Sequence, residues 1–400
     1  MTVTARRSVI LVGSGVDLFG GAEVCLLSLA RNLSARGWEV LVVLPAAGAL
    51  SSTLAAAGIE VKTIDLGTLR NRGEIRSPVL LVRLASTLVG AVRLARLIRR
   101  RRPAVVHSNT SAVVAGALAA RLARVPHVWH LREIYSGLPW AILGRLIPRL
   151  SVVVICISGA VAGRLRPGHG GRVVVIEDGV DIEFFSPGHG DHPDATVTMV
   201  ARLHPLKGHR LFIEAAAQVA SEEPRARFLV AGNIRPIWQP LLDDLHVRAQ
   251  QLGVADRLEF LGHVDRAVLP ALFARSTMAV VPSTWPEGGG LVVLEAMACG
   301  LPVIATNLGG PAEIITNGVD GILVSATDSG ELATAISKLL SRAQLRRRLG
   351  TAGRKRVLSK YSEQVQADRV VGVYETVLEH RPAVSKAPDG RRTDPTDADR

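Results

Sequence analysis

Two glutamates in residues 282–300 have a spacing that would let them contact two ends of one sugar-bearing ligand. Glu287 and Glu295 are separated by seven residues, and three consecutive glycines, 288–290, follow the first. The apolar run after Gly290 predicts a helix that begins near that residue, with Glu287 on the preceding loop and Glu295 in the second turn. The N-terminus of a helix attracts phosphate, whereas carboxylates accept hydrogen bonds from sugar hydroxyls. The segment therefore indicates a nucleotide-sugar site, although spacing alone favours an ordinary buried helix behind a glycine-rich turn.

A second segment, residues 201–209, places two cations between a strand-like run and a helix-like run. Arg202 and Lys207 lie on this connection, where cations can reach a ligand above the strand ends. Taken alone, two cations on a loop are more often solvated surface residues. Together with the glutamate segment, they indicate a site for a diphosphate that is joined to a sugar.

The two segments resemble the retaining glycosyltransferases of family 4, which have the GT-B fold, and the resemblance extends over residues 8–375. It implies that Arg202 and Lys207 hold the donor diphosphate, that Glu287 contacts the transferred sugar, and that Glu295 contacts the nucleotide ribose. The further donor contacts that it implies are Gly232, His263, Val264, Gly289, Gly290 and Leu291. Two positions depart from the family: it usually has a large apolar or aromatic residue where Gly289 stands, and asparagine where Asp178 stands.

The first half of the chain supplies candidates for the acceptor side of such a site. His130 follows a predicted strand, and in the resembling family a histidine here lies beside the transferred sugar. We therefore give His130 a catalytic role beside Glu287, Arg202 and Lys207, although a lone histidine is more often structural. The candidates for acceptor binding and for lining the cleft are Gly20, Gly21, Asn109, Thr110 and Arg132. For Gly20 and Gly21 the alternative is a plain helix start.

Composition excludes several other classes of protein. The three cysteines, Cys25, Cys156 and Cys299, are far apart and form no CxxC pair. We therefore expect neither a disulfide framework nor a zinc site. A cytoplasmic location is expected, because this cysteine usage fits a reducing compartment. Residues 1–380, which precede the expected disordered tail, contain no Asp-x-Asp segment typical of metal-bound nucleotide sugars. We therefore expect no cofactor and no metal, because Arg202, Lys207 and a helix N-terminus supply the positive charge.

The net charge of +13 is partly concentrated at the end of an apolar run, residues 78–98. Arginines interrupt this run, which argues against a membrane-spanning helix. Arg93, Arg96 and residues 99–102 give it instead the character of an amphipathic helix with a basic end. We expect this helix to associate peripherally with an anionic surface on the inner face of the membrane. The alternative is that the basic end is simply a solvated helix end. Aromatic residues make up 4% and no nucleic-acid motif is present, so we expect no nucleic-acid partner.

Strand-like Val/Ile/Leu runs alternate with helix-like runs through most of the chain. The pattern predicts an α/β fold with two doubly wound, Rossmann-like domains that face each other across a cleft, and the resemblance implies the GT-B architecture. We expect an N-terminal acceptor-binding domain (1–185), a linker (186–195), a C-terminal nucleotide-sugar-binding domain (196–361), a helix that crosses back to the first domain as in the resembling family (362–380), and a disordered tail (381–400).

The expected function is that of a retaining, hexosyltransferase-like enzyme. It would move a sugar from a nucleotide-diphosphate donor to a hydroxyl of a lipid-linked glycan, a soluble glycan or a small molecule. We expect the enzyme to act in the synthesis of cell-envelope glycolipids, polysaccharides or glycosides. Two alternatives stay open: a sugar-nucleotide isomerase or epimerase on a similar fold, and a non-catalytic subunit that binds nucleotide sugars.

Overall fold

The computed structural model describes residues 7–17, 20–68, 79–134, 138–165, 172–188 and 195–380. Within them, parallel strands alternate with helices and form two separate sheets. The predicted disordered tail, 381–400, lies outside the described residues, and so do residues 189–194 of the predicted linker.

The first sheet contains seven strands that pair in parallel. Its strands are β1 (Ser8–Val12), β2 (Glu39–Leu44), β3 (Glu60–Thr63), β4 (Val105–Ser108), β5 (His127–Leu131), β6 (Val153–Cys156) and β7 (Arg172–Val175). Their spatial order is β3-β2-β1-β4-β5-β6-β7. The helices that accompany them are α1 (Gly21–Ala35), α2 (Ala49–Ala56), α3 (Val79–Arg101), α4 (Val114–Ala123), α5 (Leu138–Leu150) and α6 (Gly159–Ala162).

The first sheet is buried on both faces, as its continuous apolar strands require. Along β1, Val9 and Leu11 share a core with residues of α1 and α2. The alternating residues Ile10 and Val12 share a second core with residues of α3 and α4. The loops that follow the strands are thus held on a rigid base.

The second sheet contains six parallel strands. They are β8 (Thr196–Val200), β9 (Arg227–Ala231), β10 (Leu258–Gly262), β11 (Met278–Val281), β12 (Val303–Thr306) and β13 (Ile322–Val324), in the order β10-β9-β8-β11-β12-β13. The remaining helices are α7 (His209–Glu222), α8 (Gln239–Gln251), α9 (Leu269–Ala274), α10 (Leu291–Ala298), α11 (Gly309–Ile314), α12 (Ser329–Ser341), α13 (Ala343–Lys360) and α14 (Glu363–Glu379). The predicted fold class is confirmed. Strand β13 was not predicted, because three residues are too short to show a pattern.

Helix α14 packs against the first sheet, although the chain reaches it only after the second sheet. Tyr374 is fully buried in the core formed with α1 and α2, and its Oη lies 2.7 Å from Nδ1 of His107 on β4. Arg36, which follows α1, donates from Nε to Asp368 Oδ1 at 2.7 Å. Part of the core of the first domain is therefore encoded after the second domain.

The chain crosses between the two domains at two neighbouring points. Val180 donates its N–H to the carbonyl of Tyr361 at 2.8 Å, and Glu363 donates to the carbonyl of Val180 at 3.1 Å. The outgoing and returning segments are therefore joined by an isolated parallel β-bridge between Val180 and Ser362.

One face of the first domain carries exposed apolar side chains. The side chains involved on α3 are Leu81, Val82, Leu84, Leu88, Val89 and Val92, with Leu81 73% and Leu88 62% exposed. Helices α3, α4 and α5, which pack in one layer, contain no aspartate or glutamate. No helix in the described ranges is both long and apolar enough to cross a bilayer.

Candidate functional site

A cavity of about 550 Å³ lies between the two domains, at the carboxyl ends of both sets of strands. Such a position is where open parallel sheets bind their ligands. The sequence-predicted residues that line it are Gly20, Gly21, Arg132, Arg202, Lys207, Gly232, His263, Val264, Glu287, Gly289, Gly290, Leu291 and Glu295. Residues from segments far apart in the sequence therefore meet in one cleft.

Helix α10 begins as the glycine run predicts. Gly290 is its N-cap and Leu291 its first residue, so Glu287 lies on the loop and Glu295 in the second turn. The loop packs closely on the start of α11, where Gly310 donates its N–H to the carbonyl of Glu287 at 2.9 Å. Gly309 has φ +63°, and a Cβ there would lie 2.3 Å from that carbonyl oxygen. The N–H groups of the first turn of α10 consequently face the cleft with glycines around them.

Glu287 is held by two side chains. Lys207 Nζ donates to its Oε2 at 2.6 Å, and Ser283 Oγ donates to Oε1. The structure thus brings together the cation and the carboxylate that were predicted from separate segments. Ser283 was not predicted, although its position just after β11 is where such residues are expected.

Glu295 is buried, and Arg266 donates from Nη1 to its Oε1. Burial raises the pKa of the Glu295 carboxyl, and the positive charge of Arg266 partly opposes this shift. The Arg266 guanidinium also lies 4.9 Å from the ring centroid of Phe185. Arg266 lines the cleft and was missed from the sequence, where its only signal is its place three residues after His263 on the loop that follows β10.

The loops after β8 and β9 approach each other closely. A Cβ on Gly232 would lie 1.8 Å from the carbonyl oxygen of Ala201, so this position requires glycine. Gly232 also donates its N–H to the carbonyl of Gly262 at 2.7 Å. Arg202 follows Ala201 with an exposed side chain on the cleft. The contact fixes the loop that carries this cation.

The wall contributed by the first domain centres on a buried ion pair. Arg132 Nη1 donates to Asp178 Oδ1, Arg132 Nε donates to Asn109 Oδ1 at 3.2 Å, and Gln366 Nε2 of α14 donates to Asp178 Oδ1 at 3.2 Å. Beside it, Glu133 accepts from the Ser111 hydroxyl at 3.1 Å, and burial raises the pKa of its carboxyl.

The two positions that depart from the family, Asp178 and Gly289, face each other across the cleft. A Cβ on Gly289 would lie 3.4 Å from Asp178 Oδ2 and 3.0 Å from Ile157 Cδ1. A large side chain at 289 would therefore collide with the first domain in this arrangement. Asp178 was not selected as a site residue from the sequence, whereas it lines the cleft.

The prediction that His130 lies at the cleft is not supported. The strand that it was expected to follow continues through Leu131, so His130 belongs to β5 and its side chain is completely buried. Its ring packs edge-on against His107 with centroids 5.3 Å apart. Burial, with a contribution from the charge of Arg132, lowers the pKa of His130 well below 6.5. The imidazole is therefore neutral and does not line the cavity.

Asn109 and Thr110 also do not line the cavity but support residues around it. Both are buried. Asn109 Nδ2 donates to the carbonyl of Ala22 at 2.8 Å, next to the glycines that open α1, and its Oδ1 accepts from Arg132. The carbonyl of Thr110 accepts from Trp129 Nε1 at 2.7 Å. Their expected direct contact with an acceptor is therefore replaced by a supporting position behind the wall.

Metal-ligand geometry is not found in the part of the chain that the structure describes. There, no group of three or more histidine, cysteine, aspartate or glutamate side chains comes close enough to hold a metal ion. The cationic groups at the cleft are those of Arg132, Arg202, Lys207 and Arg266.

Comparison with known proteins places both halves of the chain in one group of enzymes. Residues 19–184 match the model of Glycosyltransferase Family 4, and residues 181–356 match that of Glycosyl transferases group 1. A D-inositol 3-phosphate glycosyltransferase of Geodermatophilus obscurus is 30% identical over 92% of this chain and 87% of its own length. A second D-inositol 3-phosphate glycosyltransferase, from Catenulispora acidiphila, is 38% identical, but that alignment spans only 44% of each chain.

A solved structure gives the same result for the fold. HepE of Anabaena, crystallised with UDP and glucose, superimposes with a TM-score of 0.77 and 25% identity, covering 92% of this chain and all of that one. The matches therefore include both sheets and the cleft between them. Because family models and long relatives agree over most of the sequence, the chain belongs to the family 4 glycosyltransferases, and it has their GT-B fold.

Proposed function

We propose that this glycosyltransferase moves a sugar, with retention of configuration and without a metal ion, from a nucleoside diphosphate to an acceptor hydroxyl. The observation that carries the proposal is the contact between Lys207 and Glu287 beside the N-terminus of α10. A cation, a carboxylate and free helix N–H groups at one point match a ligand in which phosphate is joined to a polyhydroxyl group.

The second-domain wall would stabilise the charge that develops as the sugar–phosphate bond breaks. Arg202, Lys207 and the first turn of α10 face the leaving diphosphate, and such groups act most strongly where charge appears in the transition state. Glu287, oriented by Ser283 and Lys207, would accept hydrogen bonds from sugar hydroxyls. The acceptor hydroxyl would attack on the face from which the phosphate leaves, and a phosphate oxygen would take its proton.

A glycosidase-like mechanism with two carboxylates is the rival reading of Glu287 and Glu295. Each of these carboxylates is paired with a cation, Lys207 in one case and Arg266 in the other. Glu295 is also almost fully buried. These contacts favour binding roles for both carboxylates, at the sugar and at the ribose.

UDP is the first nucleotide to test, because HepE was crystallised with UDP and glucose. The experiment is a thermal-shift screen against UDP-, GDP-, ADP- and dTDP-sugars, followed by transfer assays that include inositol 3-phosphate, the acceptor in the names of two relatives. NMR of the product would give the anomeric configuration. An inverted product would contradict the proposed mechanism, and turnover of the nucleotide sugar without any acceptor product would favour an isomerase.

The finer localisation that we propose is peripheral association with an anionic membrane. The exposed apolar face of α3 lies beside exposed Arg93 and Arg96, in a helical layer without acidic residues. Apolar side chains that enter the interface and cations that face lipid phosphates are the two components of such binding.

Vesicle co-sedimentation tests this localisation. Each arginine near an anionic surface contributes about 1 kcal/mol, so replacing Arg93 and Arg96 by glutamine should weaken binding to phosphatidylserine vesicles roughly 30-fold. The matched control replaces Arg347 and Arg348 on α13, which are equally exposed but lie in the second domain. Equal loss in both variants would indicate general charge attraction, and no binding of the unmodified protein would remove the proposal.

A further inference from the structure

Glu23, a residue that none of the roles above uses, projects into the cleft from the first turn of α1. Its carboxylate occupies space that two glycines leave open. A Cβ on Gly15 would lie 2.1 Å from Glu23 Oε1, and one on Gly20 would lie 2.2 Å from Oε2. Within the described ranges no other side chain forms a hydrogen bond or ion pair with this carboxylate. The first domain is thus shaped to hold a half-buried carboxylate at the cleft, ready to accept hydrogen bonds.

Arg132 supplies a matching donor on the same wall. Its Nε and Nη1 are occupied by Asn109 and Asp178, as described above. Its Nη2 is buried and has no hydrogen-bond partner within the described part of the chain, although the side chain lines the cavity. An unpaired guanidinium nitrogen is costly when it is buried, so a ligand that accepts its hydrogen bond would be bound favourably.

The position of Glu23 is close to the expected reaction centre. Gly21, two residues before it, faces the second domain, and a Cβ there would lie 3.7 Å from Cδ2 of Leu291, the first residue of α10. The carboxylate also lies within the electrostatic range of Arg202, on the opposite wall. A group bound between Glu23 and Arg132 would therefore lie next to the sugar–phosphate bond.

The chemistry of this wall indicates what it binds. A hydroxyl both donates and accepts, so a carboxylate beside a guanidinium donor fits two neighbouring hydroxyls of one molecule. The described residues of this wall include three carboxylates but only one guanidinium. The carboxylates are those of Glu23, Glu133 and Asp178, and the guanidinium is that of Arg132. An anionic group placed here would meet like charge at short range.

We propose that Glu23 and Nη2 of Arg132 bind neighbouring hydroxyls of an uncharged sugar or polyol, and that this is the acceptor. The inference rests on the proposed function, and it adds the chemical class of the acceptor and a binding residue, Glu23, that sequence analysis did not select. It also explains the glycines at positions 15 and 20 before α1, since both make room for the carboxylate.

The test compares Glu23→Gln with the control Asp17→Asn. Asp17 is exposed, does not line the cavity, and carries the same charge on the same connection. Transfer is measured onto methyl glucoside and myo-inositol and onto the monophosphate of each. We expect the unmodified protein to prefer the uncharged acceptor of each pair. Glu23→Gln should raise the KM for the uncharged acceptor about tenfold, while the KM for the donor changes less than twofold. In Glu23→Gln the preference for the uncharged acceptor over its monophosphate should become smaller, because the variant lacks the negative charge that repels the phosphate.

Three outcomes would overturn the inference while leaving the proposed function intact. The first is preference of the unmodified protein for the phosphorylated acceptors. The second is an acceptor KM of Glu23→Gln that equals that of Asp17→Asn. The third is a donor KM of Glu23→Gln that rises as much as its acceptor KM. Absence of transfer to every acceptor, with nucleotide sugars still bound, would instead refute the proposed function and this inference with it.

Discussion

The two walls of the cleft carry different chemistry. The second-domain wall has three cations on loops, Arg202, Lys207 and Arg266, and they outnumber the two carboxylates among its described lining residues. On the first-domain wall, carboxylates instead outnumber the single guanidinium among the described residues. The difference follows the reaction that we propose. Negative charge develops on a leaving diphosphate at one wall, and hydroxyl groups must be oriented at the other. In the proposed reaction, two domains of the same fold class therefore differ in role because their walls differ in charge.

The largest effect should come from removing a cation of the second-domain wall. Lys207→Ala deletes a charge-assisted contact worth roughly 1.5–3 kcal/mol, and turnover should fall on the order of 10²-fold because the contact strengthens as charge develops. Steady-state rates would measure this, with Lys355→Ala, an exposed lysine of α13, as the control. Near-native turnover of folded Lys207→Ala and Arg202→Ala proteins would mean that the diphosphate binds elsewhere.

The two glutamates of the second-domain wall should respond differently. Glu287→Gln should reduce turnover far more than it weakens binding of the nucleoside diphosphate, because the partner that we propose for Glu287 is the transferred sugar. Glu295→Ala should weaken that binding about tenfold, because it removes the proposed ribose contact and leaves the Arg266 guanidinium without its carboxylate. Calorimetry with the diphosphate, beside steady-state rates, separates them. The reverse pattern would mean that the sugar lies near Glu295 and the ribose near Glu287, which contradicts the proposed orientation of the donor.

The first-domain wall should give the acceptor KM a dependence on pH. Burial raises the pKa of the Glu23 carboxyl above its ordinary value of 4.5, although the charges of Arg132 and Arg202 partly oppose this. As pH falls through this raised pKa, the carboxylate is protonated and its hydrogen bond to the acceptor weakens. We expect the acceptor KM to rise severalfold on the acid side in the unmodified protein and to stay flat in Glu23→Gln. A parallel rise in both would assign the dependence to another group.

The smallest effect should be that of chelation. Since the proposed charge stabilisation comes from side chains and a helix N-terminus, excess EDTA should leave the rate unchanged within twofold. Loss of activity that magnesium or manganese restores would show that the second-domain wall needs an ion to complete it.

Local sequence patterns predicted much of this arrangement. The start of α10, the loop position of Glu287 and the alternation of strands and helices are encoded within short segments, so their spacing was informative. His130 shows the limit of that approach. Its predicted strand ended two residues early, and in a strand such a difference decides whether a side chain reaches a loop or the core.

Other parts of the site depend on contacts between distant segments. Arg266 meets Glu295 across 29 positions and Gln366 meets Asp178 across 188, and neither pair has a local signal. Glu23 was visible in the sequence, but its availability depends on glycines at positions 15 and 20 that fold back around it. Sequence periodicity does not specify such packing.

The return of α14 to the first sheet has a consequence for synthesis on the ribosome. Tyr374 and its neighbours complete a core whose first strand is made more than 360 residues earlier. During synthesis, the apolar surface that α14 covers in the first domain therefore stays exposed until the whole second domain has been made. A chaperone that covers this surface should bind ribosome-attached chains that stop before α14 more strongly than chains extended past it. The synthesis of α14 thus sets the earliest time at which the core of the first domain can be completed.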